Sequence, residues 1–405
     1  MSLDGKMVVL GVSGGIAAYK VADLASRLAQ AGARVDVIMT EGARKFVTPL
    51  TFAALTHRPV RTDIYEDWLG EDTGHVGLAH GADILVVAPA TAHTIARIAL
   101  GLSDDLLSAV YLSTRAPVLV VPAMESGMYL HPATQAHIET LKRRGAHIME
   151  PGEGHLASGA SGIGRMPEPG AILAQIKIVL GKGGPLKGKR VVVTAGGTHE
   201  AIDPVRFVGN GSSGKMGYAI AEEALHNGAE VTLISGPVAL PPPHGVKMVQ
   251  VSSAREMEAA VREVVMDGRA DALVMAAAVA DYAPAEVAEQ KIKKTGDTLS
   301  LTMARNPDIL GNLAGEELPG MVRVGFAAET QDLVENAREK LRKKKLDMIV
   351  ANDAVASIGA DASAITLITP DGGMEQLPPM PKGENARIIV RKLAELLGAR
   401  EIERA

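Results

Sequence analysis

Short unbroken apolar runs alternate along this chain with longer stretches in which apolar residues return every three or four positions. An unbroken run suits a strand buried on both faces, while the longer period suits a helix with one buried side. In the first half the runs predict strands at 7–12, 35–39, 83–88, 117–121 and 147–149. The periodic stretches predict helices at 16–30 (ended near Gly32), 91–100, 104–112 and 133–143. The second half restarts the pattern with strands at 191–193, 231–235, 248–251, 272–276, 322–326, 348–350, 365–369 and 376–377. Helices are expected from Lys215 onward and at 254–266, 333–345 and 386–397, while 237–245 is too proline-rich for a strand. Alternating strand and helix makes a parallel sheet with helices on both faces, so the expected class is α/β with two Rossmann-like domains. Residues 181–189 are polar and glycine-rich and read as a linker between domains 1–180 and 190–405.

Ligands of such sheets sit at the carboxyl ends of the strands, which directs attention to particular loops. In the first half these are Ser13-Gly14-Gly15, Thr40, Pro89-Ala90-Thr91 and Pro122-Ala123-Met124. In the second half a β-branched run leads into Thr194-Ala195-Gly196-Gly197, and a second glycine turn at 209–214 opens a helix at Lys215. Strand, glycine turn and helix start bring free N–H groups and the positive end of the helix dipole to one place. Arg206, Lys215, Ser212 and Ser213 add charge and donors suited to a phosphate, although a tight turn into an ordinary helix has the same outline. Asp281 follows a strand and could hold Mg²⁺, a ribose hydroxyl or the next turn. Lys340 and Lys344 share one side of a helix, where an anion between them would relieve their repulsion. Lys291–Lys294 reads as a solvated basic face or a polyphosphate contact, and Asn306 could read a base edge or cap a backbone. His75, in a polar loop at 72–76, is either a surface residue or a base working at neutral pH.

Composition narrows the choice. The 405 residues suffice for two domains, and 47% hydrophobic with 22% charged residues is a globular profile. No apolar run reaches the ~18 residues of a membrane span, and the N-terminal stretch enters a strand directly, unlike a signal peptide. A formal net charge of -5 with 3% aromatics does not suit a basic, stacking groove for nucleic acid. The absence of cysteine excludes disulfides, Cys-ligated zinc and a cysteine nucleophile. Asn and Gln are scarce, seven of each, which fits a heat-adapted source or simple compositional bias.

A series of motifs then stands in family order: GVSGGIAAYK at 11–20, TPL at 48–50, APAT at 88–91, GRM at 164–166, DPVR at 203–206, SSGKMG at 212–217, AAVADY at 277–282, KIKK at 291–294, NPDI at 306–309 and FAAET at 326–330. Through them the whole chain resembles the bacterial bifunctional coenzyme A biosynthesis proteins, a phosphopantothenoylcysteine decarboxylase fused to a phosphopantothenate–cysteine ligase. The resemblance implies a flavodoxin-like, FMN-binding N-terminal domain and a nucleotide-binding C-terminal domain. The ligase would activate 4′-phosphopantothenate with CTP as an acyl-cytidylate, and cysteine's amine would then displace CMP. Asn210 would serve the acyl-cytidylate step and Arg206 the substrate phosphate. CTP would be held by Met275, Ala276, Ala277, Asp281, Lys291, Asn306, Pro307, Asp308, Phe326, Lys340 and Lys344, with Mg²⁺ on Asp281. In the decarboxylase half Ser13, Gly14, Gly15, Thr40, Ala90, Thr91, Ser103, Asp104, Asp105 and Leu106 would hold FMN, and His75 matches the catalytic His.

Two positions depart from the family. Its PAMN motif ends in Glu125, which would repel a substrate carboxylate unless protonated or turned away. Ser158 stands where many members carry a proton-donating cysteine, and a hydroxyl is a far weaker acid than a thiol. The implied assembly is a cytoplasmic homo-oligomer of flavoprotein trimers, up to a dodecamer, with dimerised ligase domains and no nucleic-acid or membrane partner. Three alternatives remain. One is an active ligase on an impaired or non-catalytic FMN-binding scaffold, and another is a non-enzymatic binding module. The third, a nicotinamide oxidoreductase, would need a G-x-G-x-x-G fingerprint that neither glycine turn has.

Overall fold

A computed structural model describes residues 2–65, 74–267, 270–294, 297–329, 331–357 and 359–404. Asp72 and Thr73 of the His75 loop and Thr330 of the FAAET motif lie outside the described residues. The chain forms two compact units, Met1–Gly181 and Lys182–Ala405.

In the first unit six parallel strands run in the spatial order Val60–Arg61, Arg34–Met39, Met7–Val12, Ile84–Ala90, Val118–Pro122, His147–Ile148. Without the two-residue edge strand Val60–Arg61 this is the flavodoxin-like order, and with it the doubly wound order of dinucleotide folds. Successive side chains of a strand point to opposite faces, so the unbroken run at 7–12 feeds two cores: Val8, Leu10 and Val12 into one, Val9 into the other. The helix Ala18–Gln30 covers the first face with Ala18, Val21, Leu24, Ala25 and Leu28, the spacing of a single helical stripe. It starts two residues later than the periodicity predicts.

Among the described residues the main sheet of the second unit has eight strands in the order Lys247–Gln250, Glu230–Ser235, Arg190–Ala195, Ala272–Met275, Val322–Glu329, Met348–Asp353, Ala362–Ile368, Met374–Pro381. The first six are parallel and repeat the order of the first unit. Ala362–Ile368 runs antiparallel to Met348–Asp353, and Met374–Pro381 antiparallel to Ala362–Ile368 in turn, which corrects the expectation of a parallel sheet at this edge. For the last pair the cause is loop length: the turn at 369–373, closed by Thr369 N–H to the Gly373 carbonyl, is too short for the crossover that a parallel pair needs.

The amino ends of the strands are pinned alike in both units. An aspartate just ahead of a strand accepts a backbone N–H from the start of a neighbouring one: Asp83 from Met7 and Asp271 from Arg190, each at 2.8 Å, and Asp347 from Arg323, the second residue of its strand, at 2.7 Å. The stretch read as a linker is likewise structural. Leu186 is fully buried in the core of the second unit, and its N–H donates to the Asn227 carbonyl. Polar glycines surround that one apolar residue and mask it in a composition-based reading.

One buried carboxylate organises the loop at 202–206. Asp203 accepts N–H bonds from Val205, Arg206 and Ile292 at 2.8, 2.9 and 3.1 Å, and the Arg206 guanidinium lies against it. First the Arg206 hydrogen bond and then these backbone donors, against the opposing effect of burial, hold the Asp203 carboxyl far below the usual range. A carboxylate so depressed stabilises the fold fully above its unfolded pKa of about 3.9, and that stability is lost as pH falls toward the folded value.

Two outcomes are expected. Leu186→Ala should destabilise the second unit by ~2–5 kcal/mol in denaturant unfolding of the full chain, whereas a flexible linker would tolerate it without change. Asp203→Asn should be less stable than the parent by a constant margin between about pH 5 and 8, narrowing below about pH 4. A margin that stays the same down to about pH 2 would contradict the assignment.

Candidate functional sites

In the first unit a cleft of about 1220 Å³ opens at the carboxyl ends of Met7–Val12, Ile84–Ala90 and Val118–Pro122. Its floor forms where two loops meet backbone to backbone: a Cβ on Gly14 would lie 2.7 Å from the Gly42 carbonyl carbon. The Ser13 hydroxyl donates to the Pro89 carbonyl at 2.6 Å and accepts from the Thr91 N–H at 3.1 Å, tying two strand ends together. Thr91 also caps the helix Ala92–Leu100 by accepting from the Thr94 N–H. Ile16, Ala123, Met124, Met128, Leu156 and Met166 supply apolar walls, while Thr40, Thr91, Lys20 and Arg97 supply polar groups. This arrangement suits a flat aromatic group carrying an anionic tail.

Of the expected flavin residues, Gly14, Gly15, Thr40, Thr91, Asp104 and Asp105 line the cleft. Ser13 and Ala90 are buried behind it, Ser103 is exposed, and Leu106 is packed in the core. The two acidic residues are paired with Arg97, which lines the same cleft: Arg97 Nε lies 3.3 Å from Asp104, and its Nη1 is bonded to Asp105. Arg97 Nη2 also sits 3.0 Å from His93 Nε2, and because a guanidinium only donates, that ring nitrogen accepts.

Glu125 lines the cleft with its carboxylate turned onto the start of the helix Ser126–Leu130, accepting from Gly127 N–H at 2.7 Å and Met128 N–H at 3.2 Å. The cap satisfies the negative charge locally, which is the turned-away arrangement that a Glu in this place requires. Ser158 also lines the cleft, on the turn between the antiparallel strands Gly152–His155 and Ser161–Arg165. His75 lies on the helix Gly74–Gly81, not in a loop, and is not among the described residues lining the cleft of one chain. Tyr19, Lys20, Arg97 and His155 also line the cleft without standing out as candidates in the sequence. Lys20 closes the GVSGGIAAYK motif and could have been found there. His155 sits on a short hairpin with no apolar alternation to mark it.

In the second unit a cleft of about 500 Å³ lies at the carboxyl ends of Arg190–Ala195, Ala272–Met275 and Val322–Glu329. Buried threonines fix its loops: Thr194 Oγ1 accepts from Ala277 N–H at 3.1 Å and Thr198 Oγ1 from Ala280 N–H at 2.9 Å. The helix Lys215–Leu225 seats so closely on the first strand that a Cβ on Gly217 would lie 2.6 Å from the Ala195 Cβ. The Asn210 amide donates to the carbonyls of Ala278 and Val279, both at 3.2 Å, and bridges two cleft loops. Asn306 donates to the Ala280 carbonyl at 2.8 Å, so its amide group is engaged with backbone.

Met275, Ala276, Ala277, Asp281, Asn306, Pro307, Asp308, Phe326, Lys340 and Lys344 all line this cleft, together with Asn210. Lys340 pairs with Glu329 at 2.6 Å and Lys344 with Asp308 at 2.8 Å. Burial raises the Asp308 carboxyl pKa, but the Lys344 ammonium and the Gly311 N–H outweigh it and hold the group below its usual range. Lys291 is exposed and does not line the cleft. Arg206, expected on the substrate phosphate, is instead committed to Asp203 and to the Ile292 carbonyl at 2.9 Å, and does not line the cleft either. Among the described residues no group of three or more His, Asp or Glu side chains is arranged to hold a metal, and Asp281 lines the cleft.

Comparison with known proteins matches both units. Residues 1–181 match the family model described as Flavoprotein, and residues 186–397 the model described as DNA/pantothenate metabolism flavoprotein C-terminal domain. The chain is 47% identical over 402 residues to the coenzyme A biosynthesis bifunctional protein of Vibrio vulnificus, covering 98% of this chain and 99% of that one. It is 46% identical over 400 residues to the protein of the same name from Bacillus subtilis, covering 97% and 98%. A crystal structure of the C-terminal domain of a coenzyme A biosynthesis bifunctional protein is 43% identical with a TM-score of 0.46, covering 53% of this chain and 98% of that one. The chain therefore belongs to the family of coenzyme A biosynthesis bifunctional proteins, a flavoprotein domain followed by a DNA/pantothenate metabolism flavoprotein C-terminal domain.

Proposed function

We propose that the chain carries out two consecutive steps of coenzyme A biosynthesis, joining cysteine to 4′-phosphopantothenate and then decarboxylating the product to 4′-phosphopantetheine. The observation that carries the ligase step is the second cleft, which lysines, Asn210 and the glycine turn leading into the helix Lys215–Leu225 line at the carboxyl edge of a parallel sheet. A carboxylate oxygen of 4′-phosphopantothenate attacks the α-phosphorus of CTP, the α–β bond breaks, and pyrophosphate leaves. The amine of cysteine then attacks the acyl carbon, CMP departs, and the amine gives up a proton. Lys340 and Lys344 neutralise charge on the nucleotide, and Asn210 bridges the loops on which the reacting carboxylate and α-phosphate are aligned. Mg²⁺ fits Asp281, because this ion takes one or two carboxylates and completes its shell with phosphates and water.

The first cleft serves the decarboxylation. FMN fits its apolar walls and polar mouth, and when bound supplies reversible oxidation of the substrate thiol. Gly14, Gly15, Thr40 and Thr91 would hold it, and Arg97 and Lys20 would balance its phosphate. The capped Glu125 directs its charge to helix N–H groups, so a substrate carboxylate meets less repulsion there. His155 and Ser158 bring exchangeable protons to the mouth, where the carbon that loses CO₂ must gain one. Exposed Leu50, Leu100, Leu102, Leu112 and Leu130 support homo-oligomerisation through the flavoprotein unit, and the enzyme would act in the cytoplasm. No helix among the described residues is long and apolar enough to cross a membrane.

Purified protein given CTP, Mg²⁺, cysteine and 4′-phosphopantothenate should release CMP and pyrophosphate in equal amounts, followed by CO₂. No CMP would refute the ligase, while CMP without CO₂ would leave the first unit as a flavin-binding scaffold. Lys344→Gln, which removes a charged contact worth ~1.5–3 kcal/mol, should lower kcat/KM for CTP by roughly ten- to hundred-fold and leave flavin bound.

A further inference from the structure

The second cleft has a basic wall that the nucleotide lysines do not account for. Lys215, the first residue of the helix Lys215–Leu225, and Lys382, the first residue of the helix Lys382–Arg404, both line it. The two come from parts of the chain far apart in sequence and meet around one acidic residue. Lys215 Nζ lies 2.5 Å from Asp361 Oδ1, and the Lys382 backbone N–H donates to the Asp361 carbonyl at 3.0 Å. Burial first, and then repulsion from Lys215, lower the Lys382 pKa, with Asp361 opposing them in part. The Asp361 side chain is 90% exposed, so its bond to Lys215 is solvent-screened and readily exchanged. By contrast Lys340 and Lys344 each have a less exposed carboxylate of their own, Glu329 and Asp308. Two cations crowded at the wall of a cleft, beside a loosely held carboxylate, are arranged to exchange that carboxylate for a ligand's phosphate.

We propose that Lys215 and Lys382 form a second phosphate subsite of this cleft, distinct from Lys340 and Lys344, in which phosphate oxygens displace the Asp361 carboxylate. Resting on the ligase reading, the ligand group is either the polyphosphate of CTP or the phosphate monoester of 4′-phosphopantothenate. The latter has no other cation assigned, since Arg206 is committed to Asp203.

Calorimetric titration of the full chain separates these. The parent, Lys382→Gln and Asp361→Asn would each be titrated with CTP, CMP, 4′-phosphopantothenate, pantothenate and inorganic pyrophosphate, after thermal unfolding has verified that the variants fold. Lys382→Gln should weaken one phosphate-bearing reactant by roughly ten-fold and leave pantothenate unchanged. Asp361→Asn should tighten the same reactant several-fold, because it removes the competing carboxylate. Weakened CTP with unchanged CMP assigns the subsite to the polyphosphate, and weakened 4′-phosphopantothenate assigns it to the monoester. Folded variants that bind every ligand as the parent does would overturn the proposal. A parent that binds pyrophosphate in a Lys382-dependent way, but neither reactant, would uphold the subsite and reject the ligase reading.

Discussion

Both units depend on one constraint: in a parallel sheet every connection returns to the same end, so the two ends of the strands cannot do the same work. The amino ends are closed by aspartates that accept an N–H from the start of a neighbouring strand, Asp83 for Met7, Asp271 for Arg190 and Asp347 for Arg323. The carboxyl ends are left with glycine turns and helix starts. Where the strand order reverses beside the first strand of each unit, the loops on either side diverge and a cleft opens. The same arrangement, built twice, therefore gives two ligand sites in one chain.

What the sites do differs because different side chains finish them. In the first unit the walls are methionines, alanines and leucine, and the charges are largely balanced within the protein: Arg97 by Asp104 and Asp105, Lys20 by Glu168. Such a surface favours a flat, mostly apolar group. In the second unit four lysines reach the cleft and its loops are held by buried hydroxyls and amides, as at Thr194, Thr198 and Asn306. Bonds of this kind fix the geometry before a ligand arrives, which is the condition for stabilising charge that develops during reaction.

The sequence revealed most of this layout and missed parts that are specific in kind. Unbroken apolar runs located the central strands, since a strand buried on both faces leaves no polar break. Short edge pieces such as Val60–Arg61 and the hairpin carrying His155 bury little and have no pattern to read. The linker reading failed at Leu186, where one apolar residue among glycines suffices to anchor the segment. Asp308, which caps the short helix Ile309–Leu313, and Lys344, at the end of the helix Leu333–Lys343, arrived in the cleft together. Arg206 did not, because its partner Asp203, three residues earlier, is buried and captures it. Lys382 was missed for the opposite reason: nothing local distinguishes it, and only the packing of the last helix brings it to Lys215.

The central claim is that the second cleft activates a carboxylate by attack on the α-phosphorus of a nucleotide. Its most direct test is to run the ligation with 4′-phosphopantothenate whose carboxylate carries heavy oxygen and to weigh the nucleotide product. One heavy oxygen transferred to CMP is the result this mechanism requires. Unlabelled CMP, with the label in pyrophosphate or retained wholly in the amide and water, would contradict it.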